Sequence, residues 1–167
     1  VAGGADIILI PEIPYDIDKV VEAINKRSKD GKGFTILAVA EGAISKEDAK
    51  LSKKELKAKK KETKYPSVSY EVAAQIQERT GNEVRVTVPG HMQRGGSPCA
   101  YDRVLCTQLV AHAAKLILDE DYGYMVGMID GQTRKVPLGD VAGKLKMVQP
   151  DCQLIKEAKL VGICFGD

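Results

Sequence analysis

His91 and Arg94 stand three residues apart in a glycine-rich stretch, Gly90-His91-Met92-Gln93-Arg94-Gly95-Gly96-Ser97-Pro98. A guanidinium can fork onto two phosphate oxygens through parallel hydrogen bonds, and an imidazole can add a third donor. Gly95 and Gly96 let the backbone turn tightly, and a helix beginning nearby would offer its own amides to an anion. A carboxylate, Glu41, ends the apolar run from Phe34 to Ala40. It repels phosphate but accepts from hydroxyls, so these groups suit a ligand anionic at one end and hydroxylated at the other. Arg85 is set among Val84, Val86 and Val88, where alternation leaves it with Thr87 on the opposite face of an extended segment. An arginine there is solvated, paired or lent to an interface. Plainer readings stand beside these: Arg94 paired with Asp102, His91 satisfied within a loop, Arg85 a charge on an edge strand.

Such groups need strands to position them. Asp6-Ile7-Ile8-Leu9-Ile10 is a continuous apolar run, consistent with a strand buried on both faces and ended by Pro11. Asp16 can cap a helix with the stripe Ile17, Val20, Val21 and Ile24, stopping near Asp30-Gly31. Phe34 to Ala40 reads as a second buried strand. Val72, Ala73 and Ile76 mark a helix from Ser69 to Thr80, and Gly81-Asn82 turns the chain into a third strand, Val84 to Val88. This alternation predicts an α/β fold with a parallel, Rossmann-like sheet, whose ligands bind beyond the carboxyl ends of the strands. Glu41 and His91 to Arg94 follow two such ends. Ser97 and Pro98 are placed as N-cap and first residue of a long helix reaching Leu118. A strand from Tyr122 to Met128 precedes a hairpin turn at Ile129-Asp130-Gly131-Gln132, leading into Lys135-Val136-Pro137-Leu138. Short helices at Val141 to Leu145 and Cys152 to Lys159 close the chain.

The 167 residues carry a net charge of +2, which by itself implies neither a nucleic-acid nor a membrane partner. Cys99, Cys106, Cys152 and Cys164 show no C-x-x-C spacing and read as thiols of a reducing cytoplasm, with no metal site. No apolar run approaches the ~20 residues of a membrane-spanning helix.

The glycine-rich stretch, followed by Tyr101-Asp102-Arg103, resembles the G-H-x-Q-R-G-G-x-P-x-x-Y-D-R segment of 6-phosphofructokinases. Ala2-Gly3-Gly4-Ala5-Asp6 through Ile10-Pro11-Glu12 and Ala38-Val39-Ala40-Glu41-Gly42 are similar to further elements of that family, so the resemblance spans nearly the whole chain. It implies the sugar-phosphate-binding, C-terminal portion of the phosphofructokinase fold, incomplete at its N-terminus. Residues 1–92 would form the fructose 6-phosphate-binding domain. Residues 93–150 would pack on a phosphoryl-donor domain, and 151–167 would return as a final helix. The intact protein would be a cytoplasmic, glycolytic kinase, a transferase of carbohydrate metabolism. It would phosphorylate the 1-hydroxyl of fructose 6-phosphate from ATP or pyrophosphate, with Mg2+ held mainly by residues upstream.

The same resemblance implies the roles of single residues. His91, Met92, Gln93 and Arg94 would bind the sugar phosphate and Glu41 its hydroxyls. Arg85 would reach the 6-phosphate of a neighbouring subunit in a homo-oligomer. Glu12 and Lys32 match effector-site positions, although Asp30-Gly31-Lys32 replaces the Lys-Gly-Lys of allosteric bacterial members. The catalytic Asp and the donor loop would lie upstream, so this stretch alone is expected not to turn over. The length of Asp48 to Ser69 is more like that of the mixed-substrate or pyrophosphate-using branch.

Lys53, Lys54, Lys57, Lys59, Lys60, Lys61 and Lys64 are interleaved with Glu55 and Glu62 and with no aromatics, which predicts a solvated helix face. His112 falls in the stripe Leu105, Leu109, His112, Leu116 and reads as a packed or interfacial residue. Two rivals to the kinase remain: a non-catalytic sugar-phosphate-binding or regulatory module, and a basic RNA-associated domain.

Overall fold

The computed structural model describes residues 1–167, except the side chain of Lys60. In chain order the elements are β1 (Ile7–Leu9), α1 (Ile17–Lys29), β2 (Leu37–Val39), α2 (Lys53–Glu62), α3 (Val68–Thr80), α4 (Ala100–Leu118), β3 (Tyr124–Ile129), β4 (Gln132–Pro137), α5 (Leu138–Val141) and α6 (Gln153–Leu160). Tight 3-10 turns lie at Asp48–Lys50 and Gly90–Arg94. The chain divides into two compact units, Val1–Thr87 with Met147–Asp167, and Val88–Lys146.

In the first unit β1 and β2 pair in parallel, in the register Ile7↔Leu37, Ile8↔Ala38 and Leu9↔Val39. The far edge of β1 takes a parallel bridge from Cys164, whose carbonyl accepts from Ile8 at 2.9 Å and whose amide donates to Asp6 at 3.0 Å. Alternation along β1 then serves two cores. Ile7 and Leu9 are fully buried with Val20 and Ile24 of α1 and Val72 and Ile76 of α3. Ile8 and Ile10 pack on the other side, against Ile13, Phe165, and Ile155 and Ala158 of α6. The expected two-faced strand is therefore present. Asp16 caps α1 by accepting from the Asp18 amide at 2.9 Å, and Lys26, Arg27 and Lys29 suit the helix's negative end.

Two expectations for this unit need correction. β2 is shorter than the run Phe34 to Ala40 and covered on one face only: Leu37 and Val39 pack on the core, while Ala38 is exposed, and so are Phe34 (72%) and Ile36 (44%) ahead of it. The second cluster reaches Ile8 and Ile10 but takes in no residue of β2. Val84 to Val88 forms no strand. Its alternation survives, with Val84 and Val86 half-buried and Arg85 and Thr87 exposed. A strand, however, exists through its ladder, and this segment pairs with neither β1 nor β2. The lysine run forms α2, a helix closed by a reciprocal Ser52–Glu55 capping box and tied back through Lys59 to Asp48. The side chains of Lys53, Lys54, Lys57 and Lys61 are exposed, as expected of a solvated face; that of Lys60 lies outside the described residues.

In the second unit α4 packs on the β3–β4 hairpin. Asp130 (φ 49°) and Gly131 (φ 73°) make its two-residue turn, the conformation an Asp-Gly pair favours. Leu105, Leu109, His112 and Leu116 are the half-buried stripe of α4, so His112 is a packed residue as expected. The helix starts later than Ser97-Pro98: its N-cap is Cys99. Likewise α5 stops at Val141 instead of beginning there, because Gly143 adopts a left-handed φ of 73° and ends the run. Among the described residues, none of this unit is buried.

Tyr15 stands where the first core meets the C-terminal segment. Its side chain is buried, and burial, with Glu71 and Asp48 adding their charge, pushes its phenol up to about 12. Gly166 lies against it with φ 75°, and a Cβ there would sit 2.8 Å from the Tyr15 Cβ and 3.2 Å from Leu9 Cδ2. Gly166→Ala is expected to destabilise the protein by at least about 2 kcal/mol, combining left-handed strain with overpacking. The fall in the urea midpoint at unchanged slope measures it. An unmoved midpoint would mean that the C-terminal segment is not docked as described.

Candidate functional site

The glycine-rich stretch folds into a single 3-10 turn, Gly90–Arg94, closed by Met92 donating to the Pro89 carbonyl and Gly95 to the Met92 carbonyl, each at 3.1 Å. Gly90 (φ 54°) and Gly96 (φ 94°) bracket it in left-handed backbone that a side chain would strain. A 3-10 turn has three residues per revolution, so side chains three apart eclipse one another. His91 and Arg94 therefore project in line from the same side of the turn. Both are exposed, and neither makes a side-chain hydrogen bond or ion pair among the described residues. Met92, 83% exposed, and Gln93 complete the turn.

The plainer reading of Arg94 as the partner of Asp102 is not realised, because that carboxylate is engaged elsewhere. It accepts from the Cys99 amide at 2.9 Å, capping α4. This also alters the expectation that the helix start would supply donors for an anion. A negative charge already occupies the first turn of α4 and satisfies one of its free amides. The helix head therefore meets a carboxylate of its own before any outside anion. Cys99 was missed as the cap because thiols are not among the residues that usually cap helices; the Asp three positions on was the available signal.

In the first unit, Glu41 follows β2 and is exposed, with Ala43 buried two residues on to pin the bend. Arg85 is exposed, and its Nε donates to Glu83 Oε1 at 2.8 Å. Glu83 was not singled out from the sequence, although its spacing of two from Arg85 puts both on one face of an extended segment. Glu12 carries a structural bond, accepting from the Val148 amide at 2.9 Å, which ties the approach to α6 onto the loop after β1. Lys32 is exposed, and its backbone amide donates to the Arg27 carbonyl. The structure thus gathers His91, Met92, Gln93 and Arg94 on one turn of the second unit, while Glu41, Arg85, Glu12 and Lys32 belong to the first. Among the described residues no three His, Cys, Asp or Glu side chains gather as a metal would require, and no helix is long and apolar enough to cross a membrane.

The family described as Phosphofructokinase matches residues 1–117. An ATP-dependent 6-phosphofructokinase of Spirochaeta thermophila is 54% identical over 167 residues, which are all of this chain and 46% of that protein. One from Chloroflexus aurantiacus is 40% identical over 166 residues, 99% of this chain and 45% of that protein. The chain thus spans about half the length of these relatives. Among solved structures, a pyrophosphate-dependent phosphofructokinase from Nitrosospira multiformis superimposes with a TM-score of 0.67 at 19% identity, covering 96% of this chain and 41% of that one, a likeness of fold.

The cap on α4 titrates. Hydrogen bonds from the Cys99 amide and side chain hold the Asp102 carboxyl below its ordinary value of 3.8. A depressed folded-state pKa means that the cap contributes in full above the ordinary value and is lost as pH falls through the folded one. The Cys99 amide resonance should therefore lose its hydrogen-bonded shift at a pH below 3.8. Asp102→Asn should flatten that titration; an unchanged titration would assign it to another group.

Proposed function

The chain belongs to the phosphofructokinase family, and we propose that it carries the acceptor side of a phosphoryl transfer to fructose 6-phosphate. Arg94 forks onto the 6-phosphate and His91, in line with it, adds a further donor. The Met92-Gln93 backbone fixes their spacing. Glu41 accepts from the sugar hydroxyls and presents the 1-hydroxyl to the donor, giving fructose 1,6-bisphosphate. Arg85 supplies a second guanidinium for the 6-phosphate of a neighbouring subunit in a homo-oligomer. The observation that carries this reading is the eclipsed, unpaired His91–Arg94 pair on one bracketed turn.

Catalysis of phosphoryl transfer is mostly positioning and charge stabilisation, and these residues supply the positioning of the acceptor. The donor site, the group that takes the hydroxyl proton and the holders of Mg2+ belong to other parts of the polypeptide. The names of the 54% and 40% identical relatives support ATP as the donor, while the pyrophosphate-using structure is alike in fold alone. The length of Asp48 to Ser69, which resembles that of the pyrophosphate-using branch, carries less weight than those names. Residues 93–150 rest on the donor-binding part. The lack of a buried side chain among those described from Val88 to Lys146 supports that placement. The engagement of Glu12 with Val148, and Asp30 beside Lys32, argue against an effector anion at those positions.

In the full-length enzyme, Arg94→Ala should weaken fructose 6-phosphate binding by about 1.5–3 kcal/mol in calorimetry, the worth of a hydrogen bond to a charged group. Unaltered affinity would remove Arg94 from the site. The isolated 167-residue polypeptide is expected to form no fructose 1,6-bisphosphate from ATP in a coupled assay. Turnover by it would place the donor site within these residues and refute the acceptor-side reading.

A further inference from the structure

We infer that Glu83 is a positioning residue for the phosphate-binding guanidinium of Arg85, an inference that rests on the acceptor-side reading above. Glu83 and Arg85 lie two apart in an extended segment anchored by Val84, which packs against the first core, and by the half-buried Val86. The period of two therefore sets both charged side chains on the exposed face, next to one another. Their ion pair uses one atom of the guanidinium: Arg85 Nε donates to Glu83 Oε1 at 2.8 Å. The two terminal nitrogens make no hydrogen bond among the described residues.

That division of donors is the point of the arrangement. A guanidinium offers two different edges. Its terminal pair forks onto a phosphate, while the Nε edge lies along the side chain. A carboxylate on Nε fixes the plane and heading of the group yet leaves the fork open. An arginine alone on an exposed segment loses much rotamer freedom on gripping a ligand; one already held by its Nε loses less. The carboxylate's charge opposes the phosphate, but it lies at the edge away from the fork, and at 74% exposure it is strongly screened. Positioning therefore outweighs repulsion. A group that offers the same acceptor without the charge should serve as well.

The test uses the full-length enzyme and steady-state kinetics in fructose 6-phosphate. Glu83→Ala should raise KM about two- to fivefold, the range of an exposed ion pair, with the loss falling on KM and not on kcat. Glu83→Gln should restore KM, since its amide oxygen still accepts from Nε. In an Arg85→Ala background, Glu83→Ala should add nothing, because its whole effect passes through Arg85. A KM unchanged or lowered by Glu83→Ala, or an equal loss in the Arg85→Ala background, overturns the inference while leaving Arg85 on the phosphate. An Arg85→Ala enzyme with unaltered KM instead overturns the reading beneath it.

Discussion

The far edge of β1 is the constraint on which the first unit turns. A three-residue strand paired on one side only would leave a row of amides and carbonyls open and one face without cover. The chain closes that edge with residues far off in sequence, through the exchange of hydrogen bonds between Cys164 and the Asp6–Ile8 backbone. The same segment then places Phe165 in the second core and Gly166 against Tyr15. One crossing thus supplies ladder, core and turn together. The bends that present Glu41 and cap α1 rest on it, since Asp16 donates its amide to the Gly166 carbonyl and Tyr15 bridges to Ser45.

This long-range closure also explains where reading the residues succeeded. The stripe Val20–Ile24, the cap at Asp16, the alternation of Ile7 to Ile10 and the Asp-Gly hairpin are local signals, and each reappears in the structure because nothing distant opposes it. Val84 to Val88 alternates just as cleanly but forms no strand. Alternation reports a covered face and carries no information about a ladder partner. Phe34 and Ile36 show the converse, since an unbroken apolar run cannot tell burial on two faces from burial on one. Glu41, His91 and Arg94 are singled out by their chemistry. Their arrangement was less legible: a spacing of three reads alike in a loop, an α-helix or a 3-10 turn, and only the last sets the two donors in line.

The turn and the helix behind it divide the electrostatics between them. Asp102 is engaged at the head of α4, and His91 and Arg94 of the preceding turn have no competing carboxylate partner among the described residues. Glu83 acts in the other sense on Arg85, occupying one edge of the guanidinium and leaving its fork. In both cases a nearby carboxylate shapes what an arginine can do, once by being engaged elsewhere and once by direct contact.

The self-sufficiency of α2 has a bearing on how this family varies. Its first turn is closed by its own Ser52–Glu55 box, it is moored by Lys59 to Asp48, and none of its described side chains joins either core cluster. A segment built this way can lengthen, shorten or disappear between lineages with little cost to the packing beneath. Differences in length after Glu41 are thus free to drift, and need not track the choice of phosphoryl donor.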